Sequence, residues 1–247
     1  MHYATSRKDT IMLKVTYISH SGFLVELEEA YLLFDYYQGT IPEFDSNKKV
    51  YVFASHGHHD HFNHHVFDLL ERENQIHFIL SDDIQIDGFK EVTLVGPNME
   101  LTVGDCQITT FKSTDLGVAF LVTYINSKPD ANGRECKVYH AGDLNWWHWN
   151  GESEEYNNKM MENYKIEIDK LKGKEIDLAF VTLDPRLEDA YLLGLDYFAK
   201  QTYAKHIIPM HFWGKVEILD LLIEEPITES YRETIVCIRE EGEVFCF

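Results

Sequence analysis

Short apolar runs that stop on a polar residue or a glycine dominate this chain. The segment MLKVTYISHSGFLVELEEAYLLFDYY, residues 12–37, divides into β-branched and aromatic pieces broken at Ser21-Gly22 and Glu28-Glu29. Such pieces are typical of strands joined by tight turns. The same patterns predict buried strands at 48–56, 76–83, 176–184 and 206–212, and helices at 62–73, 152–172 and 194–204.

Two parts of the sequence repeat one order of elements. The segment SGFLVEL…YLLFD gives a glycine, a strand, a turn, a second strand and Asp35, and LGVAFLV…KVYHAGD repeats this order up to Asp143. A buried strand follows each part and stops at a polar residue, His56 in one half and Asp184 in the other. Two such halves, each a sheet covered by helices, predict an α/β fold of the αββα sandwich type.

The charge balance and the cysteines limit the partners of this chain. Its 22 Lys+Arg and 42 Asp+Glu give a net charge of −20, which repels phosphate backbones and anionic membranes. We therefore expect no nucleic-acid and no membrane partner, and no apolar stretch approaches the ~18 residues of a membrane span. Four cysteines without a CxxC motif indicate a reduced, cytoplasmic protein.

The domain organisation is simple. No linker rich in Gly, Pro or Ser and no low-complexity tract interrupts the 247 residues, so we expect one domain over 1–247. The polar N-terminal segment lacks the apolar core of a signal peptide, and residues 1–11 are expected to form a loose leader. Assembly into a homo-oligomer is left open by the sequence.

The most informative motif is ASHGHHDHF, residues 54–62, directly after a predicted buried strand. His56 and His58 stand two apart in an extended segment, so both rings can face one cation. Asp60 and His61 follow where the chain turns and can face the same cavity from another direction. Imidazole and carboxylate together suit zinc, iron or manganese. A surface histidine cluster is the alternative, and composition alone makes this spacing rare.

These four residues resemble the H-x-H-x-D-H signature of the metallo-β-lactamase superfamily. The likeness includes YISHSGFLVE…LLFDYY, VYHAGD and IIPMHFWG and covers residues 13–214. Within the superfamily it is nearest to metal-dependent hydrolases around the ascorbate-6-phosphate lactonase branch. The resemblance implies an αββα sandwich of the metallo-β-lactamase type and metal-dependent hydrolysis. It also implies that Asp143 bridges two metals and that His211 is the last ligand of the second.

The chain departs from the family where a third histidine of the first metal site usually stands. The segment here is FKSTDLGVAFLV, with Ser113, Thr114 and Asp115 in that region. Asp115 can substitute as a harder ligand that weakens the site for zinc, or it can merely open a turn. We expect one tight divalent ion and a second, weaker one, with zinc favoured over manganese or iron. By the resemblance, the second site keeps its ligands: Asp60, His61, Asp143 and His211.

Further residues near these motifs have candidate roles. In LNWWHWN, Trp146 and Trp147 can form a wall of the substrate pocket and His148 can donate a proton, with simple packing of the tryptophans as the alternative. Arg186 in LDPRLED can bind a carboxylate or phosphate of the substrate, or form a surface ion pair. Asp35 is expected to fix the loop that bears the histidines.

These residues predict a hydrolase of a small, anionic molecule. A bound divalent ion lowers the pKa of water from about 16 to about 7, and the resulting hydroxide attacks an ester, a lactone or a phosphoester. Asp60 would orient the water or accept a proton. The alternative is a catalytically weakened member that keeps one metal and serves as a small-molecule binding or sensing module. The missing histidine near Asp115 is the reason to retain this alternative.

Overall fold

The computed structural model describes most of the chain. The described residues are 13–71, 75–86, 88, 92–126 and 135–247. The predicted loose leader, residues 1–11, lies outside them. Within the described residues, thirteen strands form two sheets, and three α-helices and several short 3-10 helices connect them.

The first sheet contains both antiparallel and parallel strands. Its strands are β1 (Lys14–Ser19), β2 (Gly22–Glu26), β3 (Ala30–Phe34), β4 (Lys49–Ala54), β5 (Ile76–Ser81), β6 (Val92–Val95) and β13 (Val244–Cys246). Their order across the sheet is β13-β1-β2-β3-β4-β5-β6. The pairs from β13 to β3 are antiparallel, and those from β3 to β6 are parallel.

The second sheet follows the same plan. Its strands are β7 (Glu100–Val103), β8 (Cys106–Lys112), β9 (Val118–Ile125), β10 (Glu135–His140), β11 (Glu175–Thr182) and β12 (Tyr203–Met210). Their order is β12-β11-β10-β9-β8-β7, antiparallel from β7 to β10 and parallel from β10 to β12.

The repeat in the sequence has a counterpart in this topology. β2, β3 and β4 pair first antiparallel and then parallel, and so do β9, β10 and β11. Asp35 and His56 follow the carboxyl ends of β3 and β4, and Asp143 and Asp184 follow those of β10 and β11. Because ligands of open α/β sheets bind outside the carboxyl ends of parallel strands, these four residues are placed where a site is expected.

Aromatic side chains of the two sheets meet between them. Phe23 stacks on Phe180 with ring centres 4.1 Å apart, and Phe53 meets Phe120 edge-on at 5.4 Å. All four side chains are fully buried. The core therefore lies between two packed sheets, as a sandwich requires.

Helices cover the outer face of the second sheet. α1 (Glu154–Asp169) and α2 (Leu193–Gln201) lie there, and α3 (Glu217–Glu224) contributes Ile218, Leu219 and Leu222 to the same core cluster. Phe198 of α2 stacks on Tyr139 of β10 at 4.9 Å, and the hydroxyl of Tyr164 on α1 donates to Gly194 O at 2.7 Å. None of the described helices is both long and apolar enough to span a membrane.

The outer face of the first sheet is covered differently. The helix predicted over 62–73 is a 3-10 helix at His64–Glu71, whose Val66 and Phe67 pack against the strands. Its first turn has no acidic residue and begins with two histidines, which lowers its helical preference. With helical elements on both outer faces, the αββα prediction is confirmed.

Candidate metal centre

The histidine motif forms a tight loop after β4. The backbone N–H and the hydroxyl of Ser55 donate to Asp35 at 2.7 and 2.6 Å, which anchors the start of the loop to β3. The N–H groups of His61 and Phe62 both donate to His58 O at 3.0 Å. This turn brings the second half of the motif back towards the end of the sheet.

Asp143 lies at the centre of the candidate site. Its Oδ2 is 3.3 Å from His56 Nε2, and its Oδ1 is 3.2 Å from His61 Nε2 and 3.3 Å from His211 Nε2. The carboxylate is buried. One carboxylate therefore faces three imidazole nitrogens from two different sheets, the placement expected of a bridging ligand.

Three buried polar atoms at this centre form no hydrogen bond of adequate geometry within the described residues, although two of them, His61 Nε2 and Asp143 Oδ1, lie 3.2 Å apart. They are His20 Nε2, His61 Nε2 and Asp143 Oδ1. A buried polar atom without a partner costs roughly 1–3 kcal/mol, so such atoms need an explanation. A cation at this centre would supply the missing partner for all three. The donor set of imidazole nitrogens and carboxylate oxygens thus fits a divalent metal.

The candidate ligands form three overlapping groups. Within each group, one donor atom per residue lies within 4.8 Å of the others. Because residues are shared between groups, the set forms one elongated centre with room for more than one ion. The groups are His20, Asp60, His61 and His211; His56, His61 and Asp143; and His58, Asp115 and Asp143.

His20 is a candidate ligand that the sequence motifs did not reveal. It follows β1 in a turn with φ 53°, its Nε2 lies 3.5 Å from Asp60 Oδ2, and its O accepts from His211 N at 3.3 Å. Burial lowers the pKa of His20 to about 4, so its ring is neutral, as a metal ligand must be. The one feature of the sequence that could have indicated His20 as a ligand is its position directly before the Ser21-Gly22 turn.

Buried carboxylates hold the outer nitrogens of two candidate ligands. Asp35 Oδ2 accepts from His61 Nδ1 at 2.7 Å, and Asp184 Oδ2 accepts from His211 Nδ1 at 3.0 Å. Both carboxylates are fully buried. These bonds fix each ring with its Nε2 towards Asp143, as carboxylates behind metal-binding histidines do.

The electrostatics of the centre also suit a cation. Burial lowers the pKa of His61, but the attraction of Asp143 and the hydrogen bond to Asp35 outweigh it and raise this pKa to about 10. Burial likewise raises the pKa of Asp143, yet His61, His211 and His56 hold it well below the usual range. The buried carboxylates are thus negatively charged, and protonated histidine balances this charge. When a metal binds to such a site, the protons are released and the metal ion balances the charge instead.

A cavity of about 430 Å³ opens onto this centre. Its volume lies in the range of small-molecule sites. Its lining includes the metal-centre residues Asp60, Asp115, Asp143 and His211. The rest of the lining is mainly aromatic and includes Trp147, Trp149, Tyr156, Met160, Arg186 and Trp213.

Comparison with known families identifies the chain. Residues 14–159, more than half of the sequence, match the model of the beta-lactamase superfamily domain. The chain belongs to this superfamily. The predicted superfamily is thereby confirmed, whereas the ascorbate-6-phosphate lactonase branch stays a prediction. A search of curated proteins gave no significant match.

Several solved structures share this fold at low identity. The metallo hydrolase Igni18 from Ignicoccus hospitalis superposes with a TM-score of 0.67 at 16% identity, over 96% of this chain and 98% of its own. YhfI from Bacillus subtilis, a metallo-beta-lactamase fold protein, superposes with a TM-score of 0.59 at 15% identity. The match covers 96% of this chain and 100% of YhfI. The diiron beta-hydroxylase CmlA from Streptomyces venezuelae superposes with a TM-score of 0.58 at 12% identity. The match covers 96% of this chain and 54% of CmlA.

The loop without the superfamily's third histidine passes very close to the motif. Gly117 has φ 68°, and a Cβ there would lie 2.0 Å from Ser55 O and 2.6 Å from His56 Cβ. Only glycine permits this approach. The next N–H, of Val118, donates to Ser55 O at 2.9 Å, which fastens the loop to the end of β4.

This approach brings Asp115 to the candidate metal centre. Its carboxylate groups with His58 and Asp143 within 4.8 Å, although its side chain is exposed. Its N–H donates to Ser113 Oγ at 3.1 Å, so the turn-forming and the ligating role of Asp115 are compatible. The structure thus brings together every predicted metal ligand: His56, His58, Asp60, His61, Asp115, Asp143 and His211.

The Asp115→Ala variant is expected to weaken the more loosely held ion by about ten-fold or more, because an oxygen donor is lost from the first position. Ser113→Ala is the matched control, since it removes only a contact to the backbone of Asp115. Chelator competition measures both affinities. Equal affinities in the two variants would show that Asp115 is not a ligand.

The tryptophan segment places two rings in the cavity. Trp147 and Trp149 both line it, with parallel rings whose centres are 6.0 Å apart. Trp147 Nε1 donates to Asp143 O at 2.9 Å. This bond ties the wall of the cavity to the central carboxylate.

Trp146 packs against the helices, and its role in substrate binding stays a prediction. Lys165 Nζ of α1 lies 4.6 Å from its ring centre, and Tyr197 of α2 meets it edge-on at 6.5 Å. Packing against these helices takes the ring away from the cavity. His148 is not among the described residues that line this cavity, and its role as a proton donor stays a prediction.

Arg186 lines the cavity in a fixed position. Its Nε donates to both carboxylate oxygens of Asp184 at 2.9 Å, and its guanidinium carbon lies 4.7 Å from the ring centre of Trp213 and 5.7 Å from that of Trp149. The side chain is still 45% exposed. The pairing with Asp184 orients the guanidinium while part of it remains open to the cavity, so the ion pair and anion binding are compatible.

Proposed function

We propose that this superfamily member is a metal-dependent hydrolase of a small, anionic molecule that carries an ester, a lactone or a phosphoester. The observation that carries the proposal is the position of Asp143. This buried carboxylate meets three imidazole nitrogens at 3.2–3.3 Å on the wall of an open cavity. Such a donor set beside a pocket of small-molecule size supports hydrolytic chemistry.

Two ion positions that share Asp143 account for the ligand groups. We assign the first to His56, His58 and Asp115, and the second to His20, Asp60, His61 and His211. Zinc suits this mixture of nitrogen and oxygen donors, and manganese or iron are alternatives. A bound divalent ion supplies an acidified water and polarises the electrophilic oxygen of the substrate.

The surrounding residues bind and orient the reactants. Asp60 lines the cavity beside His20, and we assign it to orient the attacking water or to accept its proton. Arg186 is assigned to the anionic group of the substrate because it is the cationic side chain of the cavity wall outside the histidines. Trp147 keeps the wall in place through its bond to Asp143 O.

The Arg186→Gln variant is expected to raise the KM for an anionic ester roughly ten-fold or more, since a charge-assisted hydrogen bond is lost. A neutral ester of the same size is expected to change little in KM, which makes it the matched control. Steady-state kinetics on both esters measure the difference. An equal change for both would show that Arg186 acts only through Asp184.

A metal-binding module without turnover is the second candidate. The exposed Asp115 in place of a histidine favours it, because a weak first site leaves only one ion in place. Metal titration combined with a panel of esters, lactones and phosphodiesters separates the two. Turnover that rises with metal occupancy supports the hydrolase. Metal binding without turnover on the whole panel supports the module.

A further inference from the structure

Exposed aromatic side chains line the cavity together with the metal-centre residues. Tyr156 is 40% exposed and Trp213 is 42% exposed, and both line this cavity. Large apolar side chains in contact with solvent are common when scattered, but a set of them at the mouth of one cavity indicates binding. We call Tyr156, Met160 and Trp213 the aromatic rim.

Helix α1 presents two members of the rim. Tyr156 and Met160 stand four residues apart, so they lie on one face of the helix. Ser153 caps the helix, and its Oγ accepts from Tyr156 N at 3.1 Å, which fixes the first turn. Tyr156 is exposed and lines the cavity, so its ring is accessible to a ligand there.

Trp213 is held rigidly at the rim. Its backbone has φ 54°, a region that bulky residues adopt only when surrounding contacts require it. Its Nε1 donates to Asp184 Oδ2 at 3.3 Å, and the ring packs 4.5 Å from His20. A ring that is already ordered loses little freedom when a ligand stacks on it.

We infer that the substrate presents a flat aromatic or heteroaromatic ring to the aromatic rim. The inference rests on the proposed function and names the substrate class of the same cavity. Ring faces attract other rings beyond the effect of buried area, and the Met160 thioether also favours aromatic partners. A puckered, saturated ring of equal size and charge gains only the free energy of burying apolar area, without the attraction between ring faces.

Benzoate and cyclohexanecarboxylate test the inference as probes. Isothermal titration of the metal-loaded full chain is expected to give roughly five-fold tighter binding of benzoate. The shared carboxylate contributes equally to both affinities and cancels from their ratio. Tyr156→Leu is expected to bring the ratio close to one, and Tyr156→Phe, which keeps the ring, is expected to preserve it.

Three results would overturn the inference. They are equal affinities in the unmodified chain, a ratio that Tyr156→Leu leaves unchanged, and no binding of either acid at millimolar concentration. The hydrolase proposal is tested separately on the same preparations by metal content and the substrate panel. A benzoate preference without any hydrolysis contradicts the hydrolase and keeps the inference. Hydrolysis with equal affinities for the two acids supports the hydrolase and contradicts the inference.

Discussion

The Asp143→Asn variant is expected to lose its bound metal and to lower hydrolysis by about a thousand-fold or more. The substitution keeps the shape of the side chain but removes the charge that faces His56, His61 and His211 at 3.2–3.3 Å. Both ion positions share this carboxylate in our assignment. Elemental analysis and single-substrate kinetics on the purified variant measure the two losses.

Asp68→Asn is the matched control for this substitution. Asp68 is exposed, contacts His65 and lies outside the metal centre. The Asp68→Asn variant is expected to keep its bound metal and its hydrolytic activity. An Asp143→Asn variant that retained the metal content of the Asp68→Asn control would contradict the bridging assignment.

The Asp35→Asn variant is expected to show the second-largest effect. Asp35 is fully buried and accepts from Ser55 N, Ser55 Oγ and His61 Nδ1 at 2.6–2.7 Å. An amide has one oxygen and adds donors that face other donors, so these bonds cannot all remain. We expect the free energy of unfolding to fall by about 3 kcal/mol and metal affinity to fall roughly 10–100-fold.

Urea unfolding and chelator competition measure these two quantities. Asp177→Asn is the matched control, because Asp177 accepts from Lys137 N and Lys205 Nζ on the second sheet, away from the cavity. The Asp177→Asn variant is expected to lower the free energy of unfolding modestly and to leave the metal affinity almost unchanged. The same loss of metal affinity in both variants would mean that Asp35 does not act through His61.

The fold could be predicted because the strand pattern is local. Each buried run ends on a polar residue, and the order of strands before Asp35 and Asp143 recurs, so two similar halves followed from the sequence. The element at His64–Glu71 differs because its first turn has a low helical preference, so the packing of Val66 and Phe67 on the first sheet decides its geometry.

The candidate site could be predicted only in part, for a physical reason. Residues of the H-x-H-x-D-H motif are adjacent in sequence, so their convergence needs only one turn. His20 joins them through a left-handed turn in a distant hairpin, which no local pattern specifies. The roles of Trp146 and Trp149 depend on how α1 and α2 pack, because Lys165 and Tyr197 draw the first ring away from the cavity.

The metal content of protein purified without chelators tests the central claim most directly. After extensive dialysis, elemental analysis is expected to find one tightly held divalent ion per chain, with a second, weaker ion taken up on titration. Removal of both ions by a strong chelator is expected to abolish hydrolysis, and re-addition to restore it. Two equally retained ions would contradict the weaker first position. Protein without bound metal, or hydrolysis that survives complete metal removal, would contradict the account as a whole.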